Sequence, residues 1–161
     1  MDAVKAFFES LEALLHEAEL ETTHMEGIGE TQLGDTLRIL LPVNEDGDPV
    51  IMEIMLLRYS DDRNLLYFYA TIAVDVTDEG RAQLLEAIQE WNMHCSMGAY
   101  GLYEEGGERQ LYHKYSILCA RDADGENLSE TAAEYLANLQ DVIGEQLPVI
   151  KTLLGAEDES A

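Results

Sequence analysis

The chain has 161 residues, 47% of them apolar, and sets nine Lys and Arg against 33 Asp and Glu for a formal net charge of −24. That length suits one domain burying roughly 68–70% of its unfolded surface without a metal or disulfide staple, and the apolar content argues against a disordered chain. The charge repels phosphate backbones and anionic bilayers, so it weighs against nucleic-acid and membrane-surface partners. It favours solubility and basic or cationic partners.

The amino-terminal stretch Asp2–Leu20 carries Val4, Phe7, Phe8, Leu11, Leu14, Leu15 and Ala18 at helical spacing, with Glu9, Glu12 and Glu17 off the stripe. It lacks the basic start and continuous apolar core of a signal peptide, and no run in the chain approaches ~18 apolar residues. Thr22–Asp35 is polar, with Gly27, Gly29 and Gly34, and reads as a long connection or a short edge strand. Thr36–Val43, Val50–Tyr59 and Leu65–Val76 then read as strands. The turns Asn44–Asp48 and Ser60–Asn64 join them into an antiparallel meander.

Thr77 or Asp78 can cap the next helix, whose stripe is Leu84, Leu85, Ile88 and Trp91. The chain turns near Gly98 into a strand over Ala99–Glu104. Glu105–Glu108, with Gly106-Gly107, makes a hairpin turn into Arg109–Ala120. After the polar loop Asp122–Asn127, Ser129 is expected to cap a long last helix with the stripe Tyr135, Leu136, Leu139, Ile143 and Leu147. Pro148 is expected to interrupt it, leaving Val149–Leu154 as a kinked extra turn. The order is α-β-β-β-α-β-β-α: an α+β fold with a five-stranded antiparallel sheet, in one domain over residues 1–155 with a disordered acidic tail over 156–161.

Side chains alternate along a strand. In the second strand Met52, Ile54 and Leu56 share one face and Ile51, Glu53, Met55, Leu57 and Tyr59 the other; in the third, Leu66, Phe68, Ala70, Ile72 and Val74 share one face and Tyr67, Tyr69 and Thr71 the other. Neither face is plainly polar, so both call for a cover, supplied by the helices or by a partner chain. The residues singled out for partner binding are Met55, Leu57, Tyr67 and Tyr69.

Chemical motifs are sparse. His16, His24, His94 and His113 form neither HExxH nor a zinc spacing with Cys95 and Cys119, and two cysteines without a CxxC pair suit a reducing cytoplasm. The loops from Asn44 and Asp122 lack the Gly and Glu of a calcium-binding loop, and Gly27-Ile28-Gly29 is not followed by a phosphate-binding lysine. No GxSxG occurs, and Cys95 can pair with His113 only if the fold brings them together. No metal, cofactor or catalytic residue is therefore expected. Trp91 and Asn92 read as a structural joint between helix and strand.

Leu84-Leu85, then Ile88-Gln89-Glu90-Trp91-Asn92, then Tyr100–Tyr103, then Gln110–Cys119 and a long final helix make up a pattern that resembles the type III secretion chaperone-like superfamily. That superfamily includes class I secretion chaperones and YbjN-type regulators. The Trp before the Asn looks more like the YbjN type. The resemblance implies a non-enzymatic cytoplasmic homodimer that binds a protein partner, in the chaperone branch an extended client segment. Two alternatives stand beside it. One is an enzyme with an acidic pocket for a cationic small substrate, carried by His94, Cys95 and His113. The other is a structural domain without a dedicated ligand.

Overall fold

The computed structural model describes residues 3–27, 34–46 and 48–155. The expected tail over 156–161 and the Ile28-Gly29 part of the glycine segment lie outside them. In chain order the elements are α1 (Ala3–Glu17), β1 (Thr22–Met25), β2 (Thr36–Pro42), β3 (Pro49–Arg58), β4 (Arg63–Ala73), α2 (Asp78–His94), β5 (Ala99–Glu105), β6 (Glu108–Ala120) and α3 (Gly125–Leu153).

The strands form one antiparallel sheet in the order β1-β2-β3-β4-β6-β5. It has six strands rather than the five expected. The extra one is β1, whose polar residues Thr22, Thr23 and His24 carry no apolar alternation. Pairing with β2 makes it a strand, Thr23 lying opposite Arg38.

The α+β class stands. One sheet face is roofed by helices: Leu37, Ile39, Met52, Ile54, Leu66, Phe68 and Ala70 pack against Phe7, Phe8 and Leu11 of α1 and Leu136, Leu139 and Ile143 of α3. At the β6-β5 end, Leu84, Ile88 and Trp91 of α2 pack with Tyr100, Leu111 and Ile150 on the same side.

Two expectations about α3 are corrected. The helix begins four residues before Ser129, because Asp124 is its cap and accepts from the backbone N–H groups of Glu126 and Asn127. Ser129 is buried inside the first turns and donates to the Glu126 carbonyl at 2.7 Å. Pro148 does not interrupt the helix, which runs on to Leu153. An interior proline costs a helix ~3 kcal/mol. Here Leu147 and Ile150 continue the buried stripe on both sides of it, and Lys151 is held by Asp48 in the β2–β3 turn.

Candidate functional site

The second sheet face has no helix over it among the described residues. Its rows follow from the strand register: Arg38 and Leu40 on β2, Ile51, Glu53, Met55 and Leu57 on β3, Leu65, Tyr67, Tyr69 and Thr71 on β4, and Tyr112, Lys114 and Leu118 on β6. The rim is open, with Leu40 43% and Leu118 53% exposed. Met55, Leu57, Tyr67 and Tyr69, the four positions singled out from sequence, all lie on this face and are half-buried by their neighbours.

Three tyrosines make its centre. The Tyr67 and Tyr69 rings lie 6.4 Å apart with planes 16° from parallel, and Tyr69 and Tyr112 lie 5.2 Å apart at 21°. Tyr112 crosses the edge strand directly over Gly101, where any Cβ would sit 2.3 Å from its ring. Glycine at that position lets the ring reach across. The Lys114 ammonium stands 5.9 Å from the Tyr112 ring centre, within the range of a cation–π contact. Arg38 pairs with Glu53 at 3.4 Å. Partial burial, then the neighbouring tyrosine Tyr112, push the Tyr67 and Tyr69 hydroxyls above their ordinary values. Both rings are therefore neutral at physiological pH. Sequence reasoning reached Tyr67 and Tyr69 by alternation but missed Tyr112, which the β4–β6 pairing supplies from 43 residues further along the chain.

The joint lies on the other side. Thr77 caps α2 by accepting from the Gly80 N–H at 3.1 Å, and α2 ends where the Cys95 N–H donates to the Trp91 carbonyl. Trp91 packs edge-on to Tyr100 at 5.2 Å, and the Asn92 side chain bonds to the Tyr100 backbone. Gly98 makes the turn at φ 74°, where a Cβ would lie 2.2 Å from the Lys114 carbonyl oxygen. Left-handed backbone and close approach both require glycine there.

The fold does bring Cys95 and His113 together, with Sγ 3.9 Å from Nε2. Their hydrogen bonds are wrong for a nucleophile and its base. The His113 Nε2–H donates to the Met97 carbonyl at 2.8 Å, and the Cys95 thiol donates to the same oxygen at 3.1 Å. The nitrogen nearest the sulfur thus carries a proton and cannot accept one. Burial holds His113 below its ordinary pKa, so the ring is neutral. His94 is exposed on the last turn of α2. Among the described residues no group of three or more His, Cys, Asp or Glu side chains is arranged to hold a metal ion. Nor is any described helix long and apolar enough to cross a membrane.

No family model matches the chain, and no curated protein sequence does. Among solved structures, the crystal structure of E. coli YbjN, a candidate transcription regulator, aligns over 86% of this chain and 89% of that one, with a TM-score of 0.50 and 14% identity. The chain shares the YbjN fold. That likeness carries no side-chain site across, since at 14% identity it shows the fold alone.

Proposed function

We propose that this protein is a non-enzymatic binding module of the YbjN and secretion-chaperone kind, which takes a protein partner on the open sheet face and acts as a cytoplasmic homodimer. The observation that carries the reading is the open face itself. Stacked Tyr67, Tyr69 and Tyr112 lie among Met55, Leu57 and Leu65, with exposed apolar Leu40, Ile51 and Leu118 around them. Rigid aromatic rings within an apolar patch are what protein interfaces use at their centres.

Charge distribution supports the same face. The chain carries 33 acidic residues, yet the central rows of this face hold Glu53, and that carboxylate is paired with Arg38. A partner can approach there without meeting the acidic surface. The shared fold with YbjN, described as a candidate transcription regulator, fits a binding role. The Cys95–His113 geometry weighs against a thiol enzyme.

Light scattering tests the dimer, and oxidative footprinting of the tyrosines tests the face. Tyr67, Tyr69 and Tyr112 are expected to gain protection in the assembled state, and Tyr69→Lys to abolish both the protection and the assembly while the fold is retained. A monomer whose three tyrosines stay fully reactive in native lysate would sink the reading.

A further inference from the structure

We propose that the cleft between the end of α2 and the second half of α3 binds a small organic ammonium ion. The cleft encloses about 470 Å³, within the size range of small-molecule sites. Its inner wall is Trp91 and Tyr100, set edge-on to one another, and the Tyr100 hydroxyl donates to the Val142 carbonyl at 3.3 Å, which fixes that ring. Val149 supplies an apolar flank. One carboxylate stands on each side, Glu90 from α2 and Glu145 from α3.

A second feature points to the same charge. The last turn of α2 lines the cleft, and the carboxyl end of a helix carries partial negative charge from its unpaired carbonyls. Two carboxylates and a helix carboxyl end favour a cation and repel an anion, and the aromatic wall with Val149 suits an apolar body on that cation. Among the lining residues only His94 can become cationic, and it is exposed at the rim. No bond is made or broken in this proposal. The thiol of Cys95 is a wall of the cleft, held by the Met97 carbonyl.

The chain contains one tryptophan, so Trp91 is a built-in reporter. Its emission is titrated with choline chloride, with the neutral isostere 3,3-dimethylbutan-1-ol and with sodium butyrate, at constant ionic strength up to tens of millimolar, and each titration is repeated by calorimetry. Choline is expected to give a saturable change. The neutral isostere should bind at least about tenfold more weakly, as loss of the charge facing two carboxylates requires, and butyrate should not bind. The double variant Glu90→Gln/Glu145→Gln, at two exposed positions, is expected to lose choline affinity about tenfold with an unchanged melting temperature. Equal binding of the alcohol, full affinity in the double variant, or no saturation by either method would overturn the proposal. The cleft lies on the helix-covered side of the sheet, so its outcome is separable from that of the open face.

Discussion

The carboxamide of Asn92 spans both backbone groups of Tyr100: its Oδ1 accepts from the Tyr100 N–H at 2.7 Å and its Nδ2 donates to the Tyr100 carbonyl at 2.9 Å. β5 is an edge strand, and this one side chain stands where the next strand's backbone would be. Asn92→Ala is expected to cost about 1 kcal/mol, the net worth of such bonds at a site that water can reach. Hydrogen exchange at the Tyr100 amide should accelerate well beyond that global loss. Asn92→Asp should behave similarly, since a carboxylate accepts from the N–H but has nothing to donate to the carbonyl.

Gly101 and Tyr112 make a separable test of the aromatic row. Gly101→Val adds a side chain where a Cβ already sits 2.3 Å from the Tyr112 ring, so the ring must swing off β5. The expected cost is about 1–3 kcal/mol by denaturant unfolding, as for other overpacked sites. The displaced Tyr112 should also gain reactivity in tyrosine footprinting while Tyr67 changes little.

Gly144 reverses an ordinary expectation. Replacing an interior helical glycine by alanine normally stabilises by roughly 0.5–1 kcal/mol. On α3 a Cβ at this position would lie 2.0 Å from the Val43 carbonyl oxygen, a backbone atom with little room to yield. Gly144→Ala is therefore expected to destabilise, by about 1–3 kcal/mol in urea melts.

His113 sets a pH dependence. Its folded pKa is depressed below 6.5 by burial, partly offset by the bond to the Met97 carbonyl. Below pH 6.5 the unfolded chain takes up a proton that the folded chain refuses. Stability from this group is thus full above that pH and falls as pH drops towards the folded pKa. His113→Gln can keep an N–H on the Met97 carbonyl without titrating. Its stability should fall less steeply than the parent's as pH drops below 6.5, and parallel slopes would refute the assignment.

Much of this architecture can be read from the sequence, because β3 and β4 are apolar runs bounded by turns and the stripes of α1 and α3 are long. Alternation also separates the two rows of each strand, and the β3–β4 register then brings Met55 and Leu57 beside Tyr67 and Tyr69. Alternation cannot say which face the helices take, since both carry apolar rows. That choice is made in three dimensions by Phe7, Phe8 and Leu139 packing on Ile54 and Phe68. β1 is legible only as one of two readings of a polar segment, because its stability comes from pairing rather than composition. Pro148 misleads because local propensity is weaker than the burial of Leu147 and Ile150 around it. Tyr112 and the Cys95–His113 contact depend on strand register, which no single segment encodes.

α1 precedes every strand and α3 follows them all, yet both close the same sheet face. A ribosome therefore delivers all six strands while Met52, Ile54 and Phe68 are still roofed on one side only. The 29 residues of α3 must emerge before the core is sealed. Through that interval the nascent chain presents apolar surface on both sides of its sheet, one of them temporarily, and its exposure to aggregation or to a folding helper is set by how quickly the last helix arrives.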